Sequence, residues 1–227
     1  MVYNARRPII TAFAQNNMAL RMRSYSADTH PGLVRQHNED CYLANEELGL
    51  WLVADGIGGH ESGEVASAIV CQEVESAVCD GVSLTEAIGI AHNAILEEIA
   101  ARGNDSNMGS TVVALRLRGD DYEIAWVGDS RAYLWDGELR QLTADHSYVA
   151  ELVERGVISP EEAETHPERH IITRSLGVAQ GLQSPVGHCS GALPTGAQLL
   201  LCSDGLTDEV PDSSIALTMR RHALPSE

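Results

Sequence analysis

Three short apolar runs in this 227-residue chain each end in an aspartate beside a glycine: Leu50-Trp51-Leu52-Val53-Ala54-Asp55-Gly56, Ile124-Ala125-Trp126-Val127-Gly128-Asp129, and Leu199-Leu200-Leu201-Cys202-Ser203-Asp204-Gly205. Apolar runs of this length bounded by glycine predict buried strands, and each carboxylate is then fixed where a rigid strand surfaces. Asp-Gly after a strand is also an ordinary turn signal, so any one of the three reads equally well as a turn. If the three ends converge, they assemble the oxygen ligands that hard divalent cations such as Mg²⁺ and Mn²⁺ require. That is the chemistry of a metal-dependent hydrolase.

The remaining pattern limits what those strands belong to. Residues 22–28 and 41–44 read as short strands ahead of the run that ends at Asp55. Two helices follow. In 61–79, Val65, Ile69, Val70, Val74 and Val78 recur at helical spacing, and in 84–102, Leu84, Ile88, Ala91, Ile95 and Ile99 share a face. Ser83 with Glu86 forms a capping-box signature at the start of the second. From 110 to 143 the segments 111–118, 122–127, 131–135 and 138–142 predict an antiparallel meander turned at Asp120-Asp121 and Asp136-Gly137. Helical stretches at 147–155 and 160–164 precede further strands, and Pro211-Asp212 predicts a cap for a last helix over 213–221. Strands at both ends with helices gathered between them indicate an α+β sandwich rather than an alternating α/β fold.

With 44% hydrophobic residues and no linker, repeat or low-complexity tract, the chain reads as one large domain over 22–227, preceded by a leader segment at 1–21. The formal charge of −18 argues against nucleic acid as a partner, because such binding draws on cationic contacts. Cys41, Cys71, Cys79, Cys189 and Cys202 are odd in number and lack C-x-x-C spacing, so they indicate neither a disulfide framework nor a zinc site and predict buried, reduced thiols. No stretch approaches the ~20 apolar residues of a membrane span. Arg6 and Arg7 precede only a short apolar patch broken by Gln15, Asn16 and Asn17, so no signal peptide is expected. The acidic surface fits a cytoplasmic protein, and a monomer is the expectation.

Ahead of the first strand-end aspartate, Arg35-Gln36-His37-Asn38-Glu39-Asp40 sets a guanidinium five residues before a carboxylate. Arginine suits bidentate capture of a phosphate dianion, although alone this hexapeptide also reads as a surface ion-pair loop. Arg35 with Asn38-Glu39-Asp40, Val53-Ala54-Asp55-Gly56-Ile57-Gly58-Gly59-His60, Gly109-Ser110-Thr111, Val127-Gly128-Asp129-Ser130-Arg131, Leu142-Thr143-Ala144-Asp145-His146-Ser147 and Cys202-Ser203-Asp204-Gly205-Leu206 together resemble the successive motifs of bacterial PP2C-type (PPM) protein serine/threonine phosphatases. They occur in the family's order and span roughly residues 22–210.

The resemblance implies two packed antiparallel β-sheets flanked by α-helices, with two or three Mn²⁺ or Mg²⁺ ions in a cleft at one edge. It implies Asp55 as the bridging carboxylate, with the Gly56 carbonyl and Glu39 on one ion, Asp204 on the other, and Asp129 with Asp204 at a third site. Asp40 would orient the site and Arg35 would bind phosphate. A metal-activated water would then hydrolyse phosphoserine and phosphothreonine in line, reversing a bacterial kinase. Ile57 stands where animal members carry a histidine, and His37, His60 and His146 are expected at the surface or behind the ligands. The family's closing Asp-Asn motif does not follow Met219, so one ion would lack a protein ligand unless Asp208 substitutes. Residues 145–177 correspond to a flap beside the active site, or read as a helical insert packed through Val149, Leu152, Val153 and Val157. Some similar phosphatases belong to type VI secretion loci, which implies a kinase and a forkhead-associated protein as partners. The alternative left open is a phosphoprotein-binding module without catalysis.

Overall fold

The computed structural model describes residues 9–14, 23–30, 38–58, 62–103, 107–178 and 186–221. The chain begins with strands β1 (Ile9–Ala14), β2 (Arg23–Asp28), β3 (Asp40–Asn45) and β4 (Leu50–Gly58), then helices α1 (Ser62–Cys79) and α2 (Leu84–Ala101). Strands β5 (Met108–Ser110), β6 (Val112–Arg118), β7 (Asp121–Val127), β8 (Arg131–Trp135) and β9 (Leu139–Gln141) come next, followed by helices α3 (Tyr148–Glu154) and α4 (Pro160–Glu164). The chain closes with β10 (Gly187–Ala192), β11 (Gln198–Cys202), the single turn α5 (Asp204–Thr207) and α6 (Asp212–Arg221). All pairings between strands are antiparallel, in one sheet ordered β2-β1-β11-β8-β9 and another ordered β10-β7-β6-β4-β3 with β5 beside β4.

Successive side chains of a strand point to opposite faces, and this alternation sorts the chain into four layers. Leu50, Leu52 and Ala54 of β4 join Ala66, Val70, Val74, Leu84, Ile88 and Ile95 of α1 and α2 in one core. Trp51 and Val53 turn the other way, into a second core with Leu115, Ile124 and Trp126 of their own sheet and Leu134, Leu199 and Leu201 of its neighbour. Tyr133, Leu200 and Cys202 face outward from that neighbour onto Ile215 and Met219 of α6. The order is therefore helix, sheet, sheet, helix, which is the expected α+β sandwich. The strand runs are continuously apolar because β4 and β11 are covered on both faces.

Several sequence expectations are corrected in detail. The run 110–143 is not one meander: β6–β7 belongs to one sheet and β8–β9 to the other, so the chain changes sheets at Gly128-Asp129. Residues 9–14, expected within a leader, form β1 between β2 and β11. The thiols are not uniformly buried, for Cys71 and Cys202 are, Cys41 and Cys189 are half-buried, and Cys79 at the solvent end of α1 is exposed. Ser83 caps α2 by accepting from the Glu86 amide, but its hydroxyl also bonds the Glu86 carboxylate; the reciprocal capping box occurs instead at Ser159 and Glu162, ahead of α4. Among the described residues no helix is long and apolar enough to cross a membrane.

Candidate metal centre

Antiparallel pairing decides which strand ends share an edge. β7 and β4 each pair with β6, so they run in the same direction and Asp55 and the Gly128-Asp129 turn emerge together. β8 starts at that turn, and β11, antiparallel to β8, returns to the same edge and delivers Asp204. β3, antiparallel to β4, starts there with Glu39 and Asp40. The register sets Asp40 directly opposite Asp55. Two carboxylates so placed lie within ~5.5 Å at their Cβ atoms and repel unless a cation stands between them. Asp55 continues the alternation of Trp51 and Val53, so its side chain lies on the inter-sheet side where the sandwich opens.

Glycine determines how closely these ends pack. The Gly56 amide donates to the Glu39 carbonyl at 3.0 Å, and the Ser67 hydroxyl from α1 donates to the same oxygen at 2.6 Å. A Cβ on Gly56 would collide with the Gly63 carbonyl, and one on Gly63 would stand 2.8 Å from Glu39 Oε1. Only glycine at both positions lets the first turn of α1 lie against β4 with the Glu39 carboxylate beside it, where the positive end of the helix favours an anion. Asp55 is 9% exposed, and three hydrogen bonds brace its backbone. Its amide donates to Thr111 Oγ1 at 3.1 Å, while its carbonyl accepts from the Thr111 amide at 2.8 Å and the Ser110 hydroxyl at 3.1 Å. Thr111 Oγ1 and Ser130 Oγ are 2.8 Å apart, which ties the Asp55 strand to the segment after Asp129.

The Asp129 side is electrostatically strained. Burial, then the charges of Asp204 and Asp145, push the Asp129 carboxyl up to about 7, against the smaller pull of Arg131. Asp145 is gripped by Arg131 through Nε at 3.0 Å to both oxygens and Nη2 at 2.6 Å to Oδ2. Burial opposes the Arg131 charge, but the Asp145 bonds outweigh it and hold the guanidinium firmly charged. From Arg131 the network continues through Tyr133 OH to Asp212 Oδ1 at the start of α6. The fully buried Ser203 hydroxyl, next to Asp204, has no hydrogen-bond partner among the described residues.

These donors fit hard cations: all are oxygens, and like-charged carboxylates face each other where positive charge would relieve them. Among the described residues no three carboxylate, imidazole or thiolate side chains close around a single point. Glu39, Asp40 and Asp55 are gathered by the β3–β4 pairing, and Asp129 by its proximity to Asp204. Arg35, His37 and His60 lie outside the described residues. Asp208 stands one turn beyond Asp204 and faces His170, with Nδ1 to Oδ2 at 3.3 Å. Ile57 is 36% exposed beside these groups.

Residues 147–178 are anchored at this edge by the Ser110–Leu176 bridge and the His170–Asp208 contact. Ser147 and Ser159 cap α3 and α4, Val149 is buried, Leu152 and Val153 are half-buried, and Val157, expected to pack down, is 64% exposed. His146 lies behind Asp129, as expected of it: its Nδ1 accepts from the Gly128 amide at 3.1 Å, and its ring stacks on Trp126 at 6.3 Å. Burial and then Arg174 lower its pKa to about 4, so the ring is neutral at pH 7. The sequence reading missed His92 on α2, a buried imidazole whose Nδ1 accepts from the Gly177 amide at 3.1 Å across 85 residues of chain. Nothing local to His92 signals that contact.

Comparison with known proteins agrees with this geometry. Residues 33–223 match the protein phosphatase 2C family. The serine/threonine protein phosphatase PstP of Mycobacterium tuberculosis is 37% identical over 198 residues, which are 84% of this chain and 38% of PstP; the chain thus spans well under half of that relative's length. Among solved structures, the catalytic domain of PstP in complex with two manganese ions superposes with a TM-score of 0.73 at 30% identity, covering 96% of this chain and 87% of that one. PppA, a regulatory component of the type VI secretion system in Pseudomonas aeruginosa, superposes with a TM-score of 0.73 at 33% identity, covering 86% and 83%.

Proposed function

The chain belongs to the protein phosphatase 2C family, and we propose that it is a metal-dependent protein phosphatase acting on phosphoserine and phosphothreonine. The observation that carries this reading is the delivery of carboxylates from both sheets to one edge: Asp55 opposite Asp40, and Asp129 beside Asp204. Glu39, Asp55, the Gly56 carbonyl, Asp129 and Asp204 would hold two or three Mn²⁺ or Mg²⁺ ions, in keeping with the two manganese ions of the PstP catalytic domain. When bound, such ions activate water for in-line attack on phosphorus and neutralise charge on the phosphoryl oxygens.

The protein's own contribution is to position these groups. Thr111 and Ser110 fix Asp55 through its backbone, and Asp40 orients it from directly opposite on the neighbouring strand. Arg35 binds the phosphate dianion, and the flap at 145–177 selects the phosphoprotein. Ile57 makes the lip beside the site apolar and withholds a proton donor from that position. By likeness to PppA, the finer reading is a regulator of a secretion system; that it is a cytoplasmic enzyme reversing a kinase that acts on a forkhead-associated protein extends this from the resemblance of its motifs alone.

Hydrolysis of a phosphothreonine peptide by the purified chain with Mn²⁺, with and without excess chelator, tests the proposal. Turnover that chelator abolishes supports it. Absence of turnover at millimolar Mn²⁺, with phosphopeptide still bound, would replace the enzyme with a phosphoprotein-binding module.

A further inference from the structure

His146 takes part in two structures at once. Toward the metal edge it holds both polar groups of the Gly128 backbone: Nδ1 accepts from the Gly128 amide at 3.1 Å, and the His146 amide donates to the Gly128 carbonyl at 2.9 Å. Gly128 has φ +107° and lies so close to Thr111 that a Cβ would stand 2.7 Å from its side chain, so this peptide has little room to move on its own. Toward the flap, the His146 carbonyl accepts from the Thr173 amide at 2.8 Å, and the Tyr148 amide donates to the Ile171 carbonyl at 2.9 Å beside the Ser147–Ile172 bridge. The stretch 171–173 therefore hangs from the residue that clamps the turn before Asp129. Three residues on, Leu176 exchanges hydrogen bonds of 3.2 and 2.8 Å with Ser110, whose hydroxyl holds the Asp55 carbonyl.

We propose that His146 is a positioning residue that couples cation binding at Asp129 to docking of the flap stretch 171–176. The inference rests on the metallophosphatase reading. A cation that draws in the Asp129 carboxylate reorients the Gly128 peptide, which is bonded on both sides to His146, and the His146 carbonyl carries Thr173 with it. Coupling of this kind is reciprocal: a phosphoprotein that settles the flap tightens the metal site by the same factor.

Amide hydrogen exchange on the whole chain, with Mn²⁺ and with chelator, reads the coupling directly. The expected result is that Mn²⁺ slows exchange at Gly128, Thr173 and Leu176 together, by roughly tenfold or more. His146→Phe keeps a ring on Trp126 but removes the acceptor; it is expected to weaken calorimetric Mn²⁺ affinity by about 10- to 100-fold, as loss of a group behind a metal ligand does, and to leave Thr173 exchange insensitive to Mn²⁺. His146→Asn, which offers an oxygen where Nδ1 stood, is expected to restore both. Protection of Gly128 without Thr173 in the unsubstituted protein would overturn the coupling, and so would a His146→Phe protein that binds Mn²⁺ and protects its flap normally. If His146→Phe does not fold, the exchange pattern of the unsubstituted protein still decides. Calorimetry that detects no Mn²⁺ binding would remove the metallophosphatase reading itself, whereas binding and turnover without flap protection would overturn the coupling alone.

Discussion

Replacing Asp129 with asparagine should stabilise the metal-free protein at alkaline pH and destroy its response to metal. The Asp129 carboxyl is held near pKa 7 by burial and by the charges of Asp204 and Asp145, against an ordinary value of 3.8. Between those two values the folded protein binds more protons at this site than the unfolded chain does, so stability falls as pH rises through the window and levels off above pH 7. At ~1.4 kcal/mol per pH unit, the ionised carboxylate costs the metal-free fold on the order of 2–4 kcal/mol at pH 8. The amide introduced by Asp129→Asn is neutral throughout and escapes that cost. Denaturant titrations in excess chelator at pH 5 and pH 8 supply the test. The variant should be more stable at both, with a smaller advantage at pH 5, where only the unfolded chain's carboxylate has ionised, than at pH 8, where the folded one has ionised too. Saturating Mn²⁺ should reverse the order, because ligand binding stabilises only the protein that retains the site. Equal stabilities at both pH values in chelator would refute the like-charge argument.

Asp55→Asn should abolish chelator-sensitive turnover and calorimetric Mn²⁺ binding with an unchanged far-UV spectrum, because Thr111 and Ser110 brace the backbone of residue 55 rather than its side chain. Gly128→Ala forces a Cβ onto a backbone at φ +107° and against Thr111, and thermal unfolding should fall by about 4–8 °C for a loss of about 2 kcal/mol or more. Arg131→Ala removes three hydrogen bonds from the mostly buried Asp145 and cuts the link through Tyr133 to Asp212; a loss of ~2–3 kcal/mol is expected in denaturant titration, against ~0.5 or less for Arg102→Ala in its exposed pair with Glu98.

The parts legible in the sequence are those whose physics is local. Apolar runs closed by glycine marked β4, β7 and β11 and placed Asp129 and Asp204 just past the ends of the last two, whereas Asp55, expected at a strand end, lies inside β4, which runs on to Gly58 beside β5. Helical spacing located α1 and α2, and the helical stretch expected at 160–164 coincides with α4. The sheet change at Gly128-Asp129 was not legible, because a two-residue turn within one sheet and a crossing between two carry the same residues. β1 was hidden for a related reason: six residues at 9–14 acquire strand character by pairing with 198–202, far along the chain. Thr111 could be quoted within a motif, but its bond to the Asp55 amide spans 56 residues and no spacing rule reaches that far.

The position of the flap follows from topology, independently of any single contact in it. β9 is antiparallel to β8, which begins at the Gly128-Asp129 turn, so β9 ends at the edge that carries the carboxylates. β10 is antiparallel to β7, which ends at that turn, so β10 begins at the same edge, with Gly187 opposite Trp126. The chain between Gln141 and Gly187 therefore leaves from and returns to the metal edge, and shortening or lengthening it cannot move it elsewhere. A long segment anchored there is a place for substrate selection, since loops tolerate change while the strand ends that hold the ligands do not. His146 and Leu176 are two of the points where that segment is fastened to the strands, beside the Gly177 bond to His92 and the His170 contact with Asp208. Sequence changes in 148–170 should accordingly alter which phosphoprotein is bound without altering the geometry of the carboxylates, whereas changes at 146 or 176 should disturb both.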